Sequence, residues 1–307
     1  MKPIIEMSGV SCRYGSVLAV NELNLQVPEA SVYAFLGSNG AGKTTTIKTL
    51  LNIIEPSAGS IQVLDVPSTK IGPRELAQIG YVSENQKLPE SLTVKDLIAY
   101  SRAIYPTWDD AFCRALLDML DLPLDRKIGQ FSRGMKIKAA LLVSLAYHPR
   151  LLVFDEPFSG LDPVVRDEFI TALQEILKQK NCTVFISSHD IDEVERLATW
   201  VGFIQKGKLC LSESLETVRT RFRRIQVNFP KGTLSPNFSL SEKDILSEIS
   251  EDSARWVDTA YVDAETVASQ IVARFPRDTV HTTSPLSLRE IFITTTHLTH
   301  KAQGVAR

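Results

Sequence analysis

No stretch of this chain is long and apolar enough to cross a bilayer: the longest largely apolar run, Ala139 to Tyr147, falls far short of the ~20 residues a spanning helix needs. If the protein serves a membrane, it does so through a partner. The opening residues, Met1 to Glu6, lack the apolar core of a secretion signal, so none is expected there. Cysteine is scarce and scattered. Cys12, Cys113, Cys182 and Cys210 form no C-x-x-C pair, which argues against a disulfide framework or a thiolate metal site and fits a reducing cytoplasm. An excess of basic charge is also missing: 34 Lys and Arg stand against 36 Asp and Glu, a net charge of −2, so nucleic acid is not an expected partner. What remains is 307 residues, 44% hydrophobic and 23% charged, enough for one large globular domain and a smaller second one.

The most informative stretch is Gly37-Ser38-Asn39-Gly40-Ala41-Gly42-Lys43-Thr44-Thr45, which fits the phosphate-binding pattern G-x-x-x-x-G-K-[ST]. Ser31 to Leu36 before it reads as a short buried strand, and Lys43 to Leu51 after it has the composition of a helix. The glycines let backbone N–H groups bend toward one point, and a helix N-terminus adds partial positive charge there. Lys43 can reach the β- and γ-phosphates of a nucleotide, while the Thr44 hydroxyl is placed to ligate Mg²⁺.

Upstream, Ile4 to Met7, Val17 to Val20 and Leu23 to Val27 read as strands, with a turn at Cys12 to Gly15. Tyr14 in that turn could stack on a base or be an ordinary turn tyrosine. Downstream, Ser57 to Ser60 reads as a turn, Ile61 to Leu64 as a strand, and Ile79 to Val82 as a strand running into the polar loop Ser83 to Lys87. Thr93 to Tyr147 reads as helical: a capping-box start at Thr93, a break at Pro106, a helix over Asp109 to Leu120, and another over Lys136 to Tyr147 that Ser132 can cap. That capped end is either structural or a second anion site.

Leu151 to Glu156 is a run of four apolar residues closed by two carboxylates, a buried parallel strand carrying acids at its C-terminal end, where ligands bind in open α/β sheets. A helix over Val165 to Lys180, a strand over Thr183 to Ile186, a helix over Ile191 to Ala198 and a hairpin over Val201 to Leu211 complete an α/β domain with a largely parallel sheet. Beyond about Ser214 the composition shifts. Arg219, Arg221, Arg223 and Arg224 form a basic cluster, a solvated helix face or a contact to anionic lipid. Strands are expected over Ile225 to Phe229, Trp256 to Val262 and Thr279 to Thr283, with helices over Ala264 to Phe275 and Leu286 to His297. Together they make a separate small α+β domain in which no residue set suggests catalysis.

Gly37 to Thr45, Phe131 to Met135, Leu151 to Glu156, Ser159 to Asp162 and His189, in that order, resemble the ATP-binding subunit of an ABC transporter over roughly residues 3 to 212. The Ser-Arg-Gly-Met signature and the C-terminal extension resemble ATPases of ABC-2 type exporters. The resemblance implies a P-loop NTPase fold of ABC type: an ATP-binding domain over residues 1–215 with an inserted helical subdomain at about 85–148, and an accessory domain over 216–307. It also implies ATP and Mg²⁺ as ligands, a membrane permease and a second copy of the chain as partners, and a place at the inner face of the cell membrane.

The resemblance gives roles to residues. Tyr14 stacks on adenine, Gly37 to Thr45 bind the phosphates, Asp155 joins Thr44 in holding Mg²⁺, and Glu156 polarises the attacking water. His189 touches the γ-phosphate and the water, and Asp162 links the two sites of a dimer. Ser132 and Gly134 close over the ATP of the other subunit. His189 by itself would read as a capping or surface histidine. Three positions in two motifs depart from the family pattern: Arg133 and Met135 stand where Gly and Gln are common, and Glu84, with Gln86 two residues on, stands at the loop glutamine. A carboxylate beside a γ-phosphate repels it unless a cation intervenes. A soluble ABC ATPase that remodels a macromolecular complex is the alternative function, although the chain has one cassette and no sustained heptads between Gly37 and Asp155.

Overall fold

The computed structural model describes residues 2–84, 87–179, 182–228, 247–251, 254–259 and 280–304. Two compact units divide the chain, Met1–Ser212 and Glu213–Arg307.

The first unit opens with a long hairpin, β1 (Pro3–Tyr14) and β2 (Val17–Pro28), then β3 (Val32–Leu36) and α1 (Lys43–Leu50). The expected turn at Cys12 to Gly15 is in fact the end of β1, with only Gly15 and Ser16 between the strands. Register shifts along the β1–β2 pair, between Met7 and Val10 and again around Cys12, interrupt the alternation and made one strand look like two pieces. β4 (Ala58–Val63) and the two-residue β5 (Val66–Pro67) extend this sheet in the order β2-β1-β4-β5. Ala58 to Ser60, expected as a turn, belongs to β4 and pairs with β1 through Ala58 and Ser60.

A short helix α2 (Pro73–Leu76), not anticipated, leads to β6 (Ile79–Ser83). Three helices follow, α3 (Val94–Ile104), α4 (Asp110–Leu120) and α5 (Arg133–Leu145), then β7 (Leu151–Asp155), α6 (Pro163–Gln179), β8 (Thr183–Ser188), α7 (Ile191–Glu195), β9 (Trp200–Gln205) and β10 (Lys208–Ser214). The capping box at Thr93 is formed: its Oγ1 accepts from the Asp96 N–H, and the Asp96 carboxylate accepts from the Thr93 N–H. Helix α5 begins at Arg133, three positions before the expected Lys136, because Ser132 caps it by accepting the Met135 N–H at 3.3 Å. Helix α7 stops at Glu195 instead of Ala198.

The second sheet has the order β10-β9-β3-β8-β7-β6. Its pairs β9–β3, β3–β8, β8–β7 and β7–β6 are all parallel, so the C-terminal ends of β3, β6, β7 and β8 lie side by side. One core joins the two sheets through α1: Ile5, Val20, Leu25, Phe35, Ile47, Leu50, Val153 and Phe185 belong to it, all buried. On the far side α5 lies hard against β6. A Cβ on Gly80 would fall 2.7 Å from the Ser144 carbonyl of α5 and 2.6 Å from Leu152 Cδ1, so only glycine permits this approach.

The second unit contains α8 (Leu215–Arg221), β11 (Arg223–Asn228), β12 (Ser247–Glu251), β13 (Ala254–Thr259), β14 (Val280–Pro285) and α9 (Leu288–Gly304). Its strands pair antiparallel in the order β12-β13-β11-β14. Strand β12 was not legible beforehand, and the helix expected over 264–275 and the loop expected over 230–236 lie outside the described residues. Two of the clustered arginines are committed internally: Arg221 pairs with Glu213 at 2.7 Å and lies over the Phe222 ring, and Arg224 pairs with Glu290 at 2.8 Å. Among the described residues no helix is long and apolar enough to cross a membrane.

Candidate nucleotide site

A cleft of about 500 Å³ opens at the C-terminal edge of the parallel strands, within the range of ~300–1,000 Å³ usual for small-molecule sites. Tyr14, Asn39, Gly40, Gly42, Lys43, Thr44, Thr45, Glu84, Glu156 and His189 line it, together with Ser159, the first residue of the Ser159 to Asp162 stretch, and Ala19, which the sequence did not flag. Tyr14 is half exposed at the tip of β1, open to a planar ligand.

The turn from β3 to α1 shapes the floor. Gly42 takes φ 111 as the N-cap of α1, and a Cβ there would lie 2.5 Å from the Ala19 carbonyl. Lys43 is buried and bends back over the loop, donating to the Gly37 carbonyl at 2.6 Å and the Ser38 carbonyl at 3.1 Å. Its third contact is an ion pair with Glu156 Oε1 at 3.0 Å.

Strands β7 and β8 supply the acids and their supports. Asp155 ends β7 and is buried; the Thr44 and Ser187 hydroxyls both donate to its Oδ1 at 3.0 Å. Burial pushes the Asp155 carboxyl above the usual carboxylate range, opposed by these two hydrogen bonds. Ser187 also accepts the Glu156 N–H at 3.1 Å, which fixes the carboxylate-bearing turn. Glu156 has left the strand in a left-handed conformation, φ 52. Its second oxygen accepts from His189 Nδ1 at 2.8 Å, so Lys43 and His189 hold one oxygen each. With Nδ1 so engaged, Nε2 remains the ring nitrogen for another partner.

Glu84 follows β6. Its N–H donates to the Asp155 carbonyl at 2.9 Å, and its side chain meets Arg133 and Ser159. Gln86, the neighbouring candidate, lies outside the described residues. Ser132, Gly134 and Asp162 do not line this cleft. Gly134 is buried against Val165, and Asp162 caps α6 by accepting the Val164 and Val165 N–H groups at 3.1 Å. Gly37, Ser38 and Ala41 form the underside of the loop: the first two offer carbonyls to Lys43, and the Ala41 N–H donates to the Ser38 carbonyl at 3.0 Å. The role of Ser187 was hidden because a hydroxyl ending an apolar strand has no motif of its own; its signal was only the polar step after Ile186.

Among the described residues no group of three His, Cys, Asp or Glu could hold a metal by itself. The donors at hand are hard oxygens, the Thr44 hydroxyl and the Asp155 carboxylate. Two protein ligands completed by phosphate and water are the pattern Mg²⁺ favours, and a carboxylate that burial makes costly to ionise gains from a cation beside it. The residues present fit that ion.

Comparison with known proteins agrees with this geometry. The family model described as "ABC transporter" matches residues 20–159. The bacitracin transport ATP-binding protein BcrA of Bacillus licheniformis is 34% identical over 226 residues, 73% of this chain and 74% of that one. The lantibiotic transport ATP-binding protein SrtF of Streptococcus pyogenes is 32% identical over 215 residues, 69% of this chain and 92% of its own. A solved structure described as the ATP-binding subunit of an ABC transporter superposes with a TM-score of 0.63 at 25% identity, covering 70% of this chain and 92% of the other. A nucleotide cradle at the head of a parallel sheet, with its lysine, threonine and paired acids in contact, and relatives of this closeness lead to one conclusion: the chain belongs to the ATP-binding subunits of ABC transporters, P-loop ATPases whose hydrolysis of ATP is coupled to transport.

Proposed function

We propose that the chain binds Mg·ATP in this cleft, hydrolyses it in a head-to-tail pair of protomers, and drives a separate membrane permease that exports its cargo. The observation that carries the reading is the double engagement of Glu156, held by Lys43 through one oxygen and by His189 through the other. A carboxylate so held is aimed but occupied. When the terminal phosphate of ATP enters, its oxygens compete for Lys43, and Oε1 of Glu156 is released to take a proton from water. General-base assistance of this kind contributes about 10²–10⁴-fold in rate. His189 keeps the carboxylate turned into the cleft and offers Nε2 to the phosphate.

Thr44 and Asp155 would hold Mg²⁺, which would neutralise charge between the terminal phosphates. Ser187 keeps Asp155 and Glu156 in fixed relation by bonding to both. The Thr45 N–H and its neighbours at the start of α1 donate to phosphate oxygens.

The position of Ser132 and Gly134 outside their own protomer's cleft supports the paired arrangement, because the N-terminus of α5 is then available to a second copy's nucleotide. A relative named for Nod factor export, 35% identical over 211 residues, supports export as the direction. Binding at the inner face of the membrane follows from a permease partner.

Glu156→Gln, incubated with ATP and Mg²⁺, tests the pairing directly. It should retain bound ATP and sediment as a dimer, whereas the wild type returns to monomer as ATP is spent. A variant that binds ATP and stays monomeric at all concentrations would overturn the paired reading. Co-purification with a multi-span protein from membranes tests the permease.

A further inference from the structure

Two of the three residues that depart from the family pattern, Glu84 and Arg133, stand 49 positions apart and are partners in space. Arg133 Nη2 donates to Glu84 Oε1 at 2.8 Å, and the Ser159 hydroxyl donates to the same oxygen at 2.9 Å. The guanidinium crosses over Gly160, where a Cβ would lie 2.6 Å from Nη1, so a side chain there would require the guanidinium to shift. Three elements around the cleft, the end of β6, the first residue of α5 and the turn after β7, are thereby joined through one carboxylate oxygen. The guanidinium, helped by Ser159, holds the Glu84 carboxyl below the usual carboxylate range, so it stays ionised beside the site.

A lone carboxylate at this place would oppose the terminal phosphate of ATP. We propose that Arg133 is a positioning residue for Glu84: it clamps the carboxylate against Ser159 and cancels its charge, so that the pair meets the terminal phosphate as a neutral polar group, in the manner of an amide. The departures at Glu84 and Arg133 are then one compensated exchange. Without the arginine, the penalty falls on ATP and spares ADP, because Glu84 lies at the end of the cleft shared with Glu156, Ser159 and His189. This rests on the reading that the terminal phosphate enters between Lys43, Glu156 and His189.

The test is a set of ATP and ADP titrations on full-length protein, at concentrations where sedimentation shows single protomers, for the wild type, Arg133→Gly, Glu84→Gln, the double variant and Arg133→Lys. Arg133→Gly should weaken ATP about 5- to 10-fold, the scale of one partly exposed charge pair, and leave ADP within about twofold. In the Glu84→Gln background the same change should cost less than about twofold, and Arg133→Lys should recover most of the loss. Equal cost of Arg133→Gly with and without Glu84 would mean that the arginine acts on the nucleotide itself, and would overturn the proposal. Parallel loss of ATP and ADP would reduce the pair to a structural contact and overturn it too. Should the glycine variant melt early, Arg133→Gln gives the same comparison. If Lys43→Ala binds ATP as the wild type does, the site reading fails first; if Lys43→Ala loses ATP while Arg133 and Glu84 prove independent, only this inference fails.

Discussion

Lys43 and Glu156 neutralise each other at 3.0 Å, with side-chain exposures of 5% and 12%, so neither charge is compensated by bulk water. Lys43 also closes the loop through the Gly37 and Ser38 carbonyls. Lys43→Ala therefore removes a phosphate ligand and leaves a nearly buried carboxylate unpaired. Isothermal titration should show ATP affinity lowered at least 10- to 100-fold, the worth of a charge-assisted hydrogen bond of about 1.5–3 kcal/mol. The apo protein should melt at lower temperature.

Glu156→Gln keeps an acceptor and the side-chain volume but removes the base. Steady-state phosphate release should fall about 10²–10⁴-fold while ATP affinity stays close to wild type. Normal turnover would take the general-base role away from Glu156.

Asp155 offers a test with opposite signs for stability and binding. Its folded-state pKa is raised by burial, so ionisation costs stability: the cost is absent below the unfolded-state value, grows as pH climbs from there to the folded value, and is complete above it. Asp155→Asn retains an oxygen for Thr44 and Ser187 but carries no charge. At pH 7, without nucleotide, the variant should melt higher, by about 2–4 °C per kcal/mol gained for a unit of this size. The added stabilisation that Mg²⁺ gives to ATP-bound protein should disappear. Glu84 has the opposite linkage: its pKa is lowered, so its contribution is complete above the unfolded-state value and is lost as pH falls through the folded one.

Gly42→Ala should damage the cradle without touching a charge. The residue sits at φ 111, and the new methyl would meet the Ala19 carbonyl at 2.5 Å. Left-handed strain alone costs roughly 1–2 kcal/mol. Both melting temperature and ATP affinity should drop, and a variant that loses neither would mean the loop rearranges freely.

What could be read from residues alone was whatever depended on local pattern. Leu151 to Phe154 announced a buried strand by being apolar throughout, and Thr93 with Asp96 announced a helix start by their spacing. The phosphate loop could be read because its chemistry is carried by consecutive positions. The β1–β2 hairpin was read in fragments, since its bulges break alternation over a span where pairing, not pattern, defines the strand. Contacts between distant positions stayed hidden: nothing near Glu84 foretells Arg133, and nothing near Asp155 foretells Ser187. Helix α5 began earlier than its apolar spacing suggested because the cap at Ser132 outranks periodicity at a helix end.

Gly80 carries a mechanical implication. With no room for even a methyl between β6 and α5, the helix cannot slip across the strand and must take it along. A force applied to the helical segment then arrives at Glu84, a few residues beyond that contact, as displacement of a stiff lever and not as rearrangement of a slack connector. Widening the gap with a bulkier residue at 80 would loosen the gearing between the helical segment and the nucleotide site even where every ligand to ATP remains in place.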